Sequence, residues 1–242
     1  MTFKTEIFDI GRQVAVQTAD WAFSSAGDFV NKGLKHTDLV VSPGFTFNNE
    51  PSCSVTPIAG LRNKKIIRLC KEILGRDPFW TLSIKFQLES EKYRGPASPK
   101  RIYPRKVPFT TVHGEPNYWP ADFITQEQTY DYLRGVLADG NEYLGRYFNF
   151  ESEEALLSHL PMTYRWMDKG IGNAGLMGSF YEQMDGIIHC LAAIVLGNFE
   201  FVERYASDDF KTMAPKRMQD LAKIISALPE LQRRFAETGK VV

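Results

Sequence analysis

The chemistry open to this 242-residue chain rests on four histidines, three cysteines and a few close acid pairs. His36, His113, His159 and His189 form no HxH, HExxH or HxxxH pattern, so no helix or strand offers two imidazoles to one metal ion. His113-Gly114-Glu115 has the H-x-E spacing that zinc deaminases use, but the P-C-x-x-C partner is absent. What remains is His113 with Glu115 as an acid–base pair for a hydrolase-type reaction. Cys53, Cys70 and Cys190 are odd in number and far apart, with no CxxC pair. Adjacent residues on a helix point about 100° apart, so His189 and Cys190 do not share an ion. The spacing predicts free, buried thiols in a reducing cytoplasm, with no metal and no cofactor. No G-x-S-x-G elbow supplies a serine nucleophile. Glu153-Glu154 and Asp208-Asp209 are neighbours that face solvent separately and do not converge across a cleft.

Gly170 to Gly175 reads GIGNAG and satisfies G-x-G-x-x-G. A dinucleotide site needs that run to follow a buried strand and open a βαβ unit, because the helix N-terminus must meet the pyrophosphate. Here it follows Tyr164-Arg165-Trp166 in a helical half of the chain, which predicts a helix–helix linker.

Charge patterning is more informative. The 29 basic and 29 acidic residues balance, which excludes a globally basic nucleic-acid binder and leaves local patches. Lys92, Arg94, Lys100, Arg101, Arg105 and Lys106 lie in one stretch without an acid, interleaved with Tyr93, Ile102 and Tyr103. Such a segment suits phosphates and bases, or an acidic protein surface with Arg and Tyr as anchors. Residues 121–160 then hold eight acids against Arg134 and Arg146. Arg94, Arg101, Tyr103 and Arg105, with Trp119 as an apolar anchor, are therefore the expected partner contacts. Asp131, Glu142 and Glu153 mark an alternative acidic face.

The elements that must position these residues follow from periodicity. Gly11 to Phe23 is expected to be a helix, and residues 38–58 a strand–turn–strand pair broken at Pro43-Gly44. Lys64 to Leu74 is expected to be a helix with Gly75 as its C-cap. Trp80, Leu82, Ile84, Phe86 and Leu88 alternate with polar residues and predict a strand. Six prolines in residues 89–120 forbid a long helix and predict an extended connection, with an edge strand at Val107–His113. From Asp122 onward only helices are expected. Thr125 with Gln128 caps the first of these, which ends or kinks at Asp139-Gly140. Ser152 caps the next, and Tyr181–Leu196 and Phe199–Tyr205 follow. Lys216–Ala227 and Pro229–Thr238 finish the chain as separate helices.

Strands followed by helices predict an α+β fold, with an N-terminal helix and antiparallel sheet beside an all-helical C-terminal portion. The expected division is residues 1–120 and 121–242, packed as one unit. No window holds 18 consecutive apolar residues, so no membrane span is expected. The opening MTFKTEIFDIGRQ lacks the charged-then-apolar order of a leader peptide, consistent with a cytoplasmic protein.

Phe79-Trp80-Thr81-Leu82-Ser83-Ile84-Lys85-Phe86, Tyr118-Trp119-Pro120 and Glu154-Ala155-Leu156-Leu157 occur in the order helix, strands, Trp-bearing linker, helical tail. That order resembles a loose family of uncharacterised bacterial domains of unknown function. The resemblance implies an accessory or immunity-type protein, and it carries no catalytic residues with it. The expectation is a non-enzymatic protein that contacts a protein partner, a bacterial toxin in the immunity reading. The alternatives are a hydrolase using His113 and Glu115, or a nucleic-acid binder using residues 92–106.

Overall fold

A computed structural model describes residues 2–47, 52–78, 80–85, 100–103, 123–160, 182–207 and 217–242. The elements in chain order are α1 (Phe3–Val16), β1 (Trp21–Phe23), β2 (Phe29–Asn31), β3 (Thr37–Ser42), β4 (Phe45–Phe47), β5 (Cys53–Val55) and β6 (Ile58–Asn63). There follow α2 (Lys64–Leu74), β7 (Leu82–Lys85), β8 (Lys100–Tyr103), β9 (Phe123–Thr125), α3 (Thr129–Tyr147) and α4 (Glu153–Ser158). The chain closes with α5 (Glu182–Val195), α6 (Phe199–Ser207) and α7 (Met218–Thr238). The class is α+β, with an N-terminal helix, antiparallel pairing and C-terminal helices. No described helix is long and apolar enough to cross a membrane.

The strands form two sheets, ordered β1-β2-β3-β6-β7 and β4-β5-β8-β9. β3 and β4 are separated by Pro43-Gly44, as the turn signal predicts. Gly44 has φ +64, and a Cβ there would stand 2.0 Å from the carbonyl oxygen of Thr56. Only glycine allows the two backbones to meet at that point, which lets β4 turn onto β5.

Two compact units are interleaved along the sequence: Met1–Gly33, Asp38–Gly60 and Ser83–Arg146 make the first, and Leu34–Thr37, Leu61–Leu82 and Tyr147–Val242 the second. Helix α2, grouped by sequence with the N-terminal portion, thus belongs with the late helices. Most of α3 belongs with the early strands.

The first unit has its core where Ile7, Phe8, Val14 and Ala15 of α1 are buried together with Phe29, Val41, Val55, Ile102 and Ile124. Phe8 meets Phe23, Phe45 and Phe47 at ring separations of 5.6–6.1 Å, an aromatic cluster that gains contact energy beyond area burial. In α3 the buried stripe is Tyr132, Leu133, Val136, Leu137 and Leu144.

The second unit is built around α5, in which every residue from Ile187 to Ile194 is buried. Around it pack α2, α4, α6 and α7, each with one apolar stripe. α2 turns in Ile66, Leu69, Cys70 and Leu74, and α7 turns in Leu221, Ile224, Leu228 and Leu231.

Several expected boundaries differ from those observed. The first helix is Phe3–Val16 and not Gly11–Phe23, because Trp21–Phe23 pairs with Phe29–Asn31 in a hairpin. Lys100–Tyr103 is a strand inside the region expected to be a loop. Phe123–Thr125 is also a strand where only helix was expected, and it lies parallel to β8. Gly140 does not end or kink α3 into two; the helix runs on to Tyr147 and buries Leu144. Pro229 lies inside α7, which is one helix. Its missing N–H costs the helix a bond, but the uninterrupted stripe from Leu221 to Leu231 outweighs that loss. The expected strand at Val107–His113, the Gly170–Gly175 linker and the residues beyond Lys85 in the alternating strand lie outside the described residues.

Candidate interaction surface

Strand β8 is held on both sides. Cys53, Ser54 and Val55 stand opposite Ile102, Arg101 and Lys100 in antiparallel register, and Arg101, Ile102 and Tyr103 stand opposite Phe123, Ile124 and Thr125 in parallel register. Side chains alternate across a sheet, so this register sorts them into two faces. Cys53, Ile102 and Ile124 share one face and are buried. Thr46, Ser54 and Arg101 form a cross-strand row on the other, with Thr46 and Arg101 exposed. Arg101 thus lies on the outer face because its neighbour Ile102 is turned inward and buried. Tyr103 follows on the same face but is only 5% exposed, and its hydroxyl accepts a hydrogen bond from Arg101 Nη1 at 3.4 Å. It shapes the guanidinium's position more than it meets solvent.

The acidic candidates fall into two groups. On α3, Asp131 Oδ1 lies 3.5 Å from Arg134 Nη2, and Glu142 Oε1 lies 2.7 Å from Arg146 Nη2. Both are single-turn pairs on an exposed helix face. Such pairs stabilise by about 0.2–1 kcal/mol, so a partner can exchange them at little cost.

Glu153 is different. It is the first residue of α4, behind the Ser152 cap whose hydroxyl accepts from the N–H of Ala155 at 2.9 Å. Its carboxylate accepts hydrogen bonds from the backbone N–H of His36, the Thr37 hydroxyl at 2.9 Å and Asn63 Nδ2 at 3.1 Å. Thr37 and Asn63 are at most 1% exposed. This carboxylate is engaged within its own unit and ties α4 to the residues leading into β3 and α2. Its role there is structural, and it adds nothing to an outward acidic face.

Asn63 completes the junction. Its Oδ1 accepts from the N–H groups of Lys65 and Ile66 and caps α2, while Nδ2 donates to Thr37 Oγ1 at 2.8 Å and to Glu153. All its hydrogen-bonding capacity is used, which is what lets an amide lie buried. Sequence reasoning missed this knot because its members are 26 and 90 residues apart. The Asn at the start of the 64–74 helix was its one local signal.

A second buried polar group also lies in the second unit. Asp220 Oδ2 accepts from Arg217 Nη1 at 3.1 Å and from Arg76. Burial pushes the Arg217 guanidinium below its ordinary pKa, against the opposing pull of Asp220. Arg94, Arg105, Trp119, His113 and Glu115 lie outside the described residues.

The thiols are free and buried. Burial pushes Cys53 and Cys190 up to about 12 and Cys70 to about 11. They are neutral thiols at physiological pH and poor nucleophiles. Among the described residues no three His, Cys, Asp or Glu side chains converge as a metal site. At pH 8, thiol labelling of the native protein is expected to be about a hundredfold slower than in guanidinium, limited by opening of the fold. Between pH 9 and 11 the unfolded thiols ionise while the folded ones stay protonated, so the unfolded chain binds fewer protons and stability falls as pH rises. Cys53→Ala should flatten that fall by about 1.4 kcal/mol per pH unit, read from urea midpoints.

No family model, curated protein or solved structure matches the chain. The resemblance to uncharacterised bacterial domains rests on the quoted motifs alone.

Proposed function

We propose that the chain is a protein-binding protein that works by direct contact with a partner, and that in the immunity reading this partner is a bacterial toxin in the cytoplasm. The observation that supports this most is Arg101, exposed on the polar outer face of the β4-β5-β8-β9 sheet and backed by a buried apolar face. A charged side chain on a rigid strand contacts a partner with little ordering cost, and arginine is enriched among residues that dominate interfaces. The i,i+3 and i,i+4 pairs of α3 supply further exchangeable charge at Asp131 and Glu142. Arg94, Arg105 and Trp119 extend the proposed contact set in sequence around β8.

The test is co-purification of the tagged chain with the product of an adjacent gene, followed by titration of the purified pair. A stoichiometric complex weakened tenfold to a hundredfold by Arg101→Glu, with an unchanged melting temperature, is expected. A pair that does not associate, or one indifferent to Arg101→Glu, overturns the reading. Activity on a hydrolase substrate panel that His113→Ala abolishes would replace it with the acid–base alternative.

A further inference from the structure

Phe8, Phe45 and Phe47 form a triangle of rings in the first unit, with centroids 5.9 Å apart along two sides and 6.1 Å along the third. Phe8 comes from the inward face of α1, and Phe45 and Phe47 from the face of β4 opposite Thr46. Gly27 lies against two of the rings: a Cβ there would stand 2.8 Å from Phe8 Cζ and 3.3 Å from Phe45 Cδ2. Phe45 and Phe47 are partly exposed, and Phe3 meets Phe47 edge-on at 6.2 Å.

A cation already occupies this surface. The Lys4 ammonium lies over two rings, 5.3 Å from the Phe8 centroid and 5.7 Å from that of Phe47. Those rings are inclined at 58°, so they form two walls of a notch. Lys4 makes no ion pair among the described residues. The nearby acids of α1 are engaged elsewhere, Glu6 accepting from Gln126 Nε2 at 2.8 Å and Asp9 from Arg12. The ammonium is therefore held by ring faces alone. That hold is weak, because the side chain is exposed, its charge is strongly hydrated and its four-carbon stem loses rotamer freedom.

We infer that the Phe8–Phe47 notch binds a trimethylammonium group, which displaces Lys4 as its internal occupant. The position of the Lys4 charge marks where a ligand cation sits, and the walls decide which cation. Ring faces offer no oxygen ligands to a hard metal ion. A trimethylated ammonium keeps the charge that the ring quadrupole attracts and turns methyl groups to the rings. The inference is separate from the proposed protein contact, since Phe45 and Phe47 alternate with Thr46 and so face away from Arg101. A choline-type solute or a trimethylated lysine could carry the group.

The experiment is NMR of the full chain at constant ionic strength, titrated with tetramethylammonium. In the free protein the Lys4 ε-methylene, assigned by its loss in Lys4→Ala, should lie upfield of other lysines because two rings shield it. Tetramethylammonium should return it to the ordinary lysine position. Binding to variants is read from the ligand's N-methyl resonance, which the rings also shift upfield. Lys4→Ala removes the internal competitor and should tighten binding about threefold to tenfold. Phe47→Leu keeps apolar volume without the ring and should weaken binding about fivefold at an unchanged melting temperature. The neutral carbon isostere of choline should bind about tenfold more weakly than choline. A Lys4 signal indifferent to tetramethylammonium, an equal response to sodium, or equal binding of the neutral isostere overturns the inference. Tighter binding of a trimethyllysine peptide than of choline upholds the site and assigns its ligand to a polypeptide; parity upholds it with a free solute as ligand.

Discussion

Gly44→Ala is expected to destabilise the protein by roughly 3–5 kcal/mol, the upper range for a single substitution. Two costs combine. An alanine at φ +64 is strained by about 1 kcal/mol. Its Cβ would also be driven to 2.0 Å from the carbonyl oxygen of Thr56, a backbone atom that cannot swing aside as a side-chain tip can. Relief requires β4 and β5 to part, yet Phe45 pairs with Val55 and Phe47 with Cys53, and Val55 and Cys53 are fully buried. Gly75→Ala separates the two costs. Gly75 caps α2 at φ +71, but nothing lies within 4 Å of a Cβ there, so only about 1 kcal/mol should be lost. Urea denaturation of both variants measures the difference, provided the m-values agree. Equal losses at the two sites would show that the close approach of Gly44 to Thr56 does not govern the turn.

Glu153→Ala is expected to cost a similar amount, roughly 3–5 kcal/mol, by a different route. The charge is a minor part of it. Removing the carboxylate leaves the Thr37 hydroxyl, the His36 N–H and one proton of Asn63 without an acceptor, in a place where Thr37 and Asn63 are buried. An orphaned buried donor costs about 1–3 kcal/mol, and the three losses overlap because they share one network. Glu153→Gln keeps the volume and one carbonyl oxygen, so it should recover about half the loss. Asn63→Ala should be non-additive with Glu153→Ala, since each breaks the same junction; a double-mutant cycle measures this. A loss below about 1 kcal/mol for Glu153→Ala would mean that the carboxylate is solvated and outward-facing after all.

These two sites show where sequence reading reached and where it stopped. Lys64–Leu74 was legible residue for residue, because Asn63 and Gly75 bracket a 3.6-residue apolar repeat and both caps are local. The Thr125–Gln128 box was legible for the same reason: the Thr125 N–H donates to Gln128 Oε1 at 3.0 Å, and the Gln128 N–H to Thr125 Oγ1 at 3.4 Å. The helix itself was counted three residues too early, since Phe123–Thr125 is drawn into a sheet. Strand β8 was illegible. Its four residues carry two cations and sit among prolines, and they extend only because Cys53–Val55 and Phe123–Thr125 pair on either side. Trp21–Phe23 misled in the opposite direction, its apolar residues extending a helical pattern that the hairpin with Phe29–Asn31 cuts short.

The interaction surface divides the same way. Alternation around Ile102 implied that Arg101 and Tyr103 share a face, and they do. Only the fold determined that Arg101 is exposed while Tyr103 is covered. Similarly, Asp131, Glu142 and Glu153 read alike as acids in an acidic stretch. Two are paired on the surface of α3, and the third is bound inside its unit by partners more than 80 residues away.

The residue order by itself determined the α+β class, the Lys64–Leu74 helix with its Gly75 cap and the Ser152 cap of α4, because these depend on periodicity and on hydrogen bonds within one turn of chain. The tertiary structure alone decided which short segments became strands, which helices share a core, and which charges meet water. Those outcomes depend on pairing across tens of residues, where the energy of a contact belongs to both partners and neither sequence position reveals it.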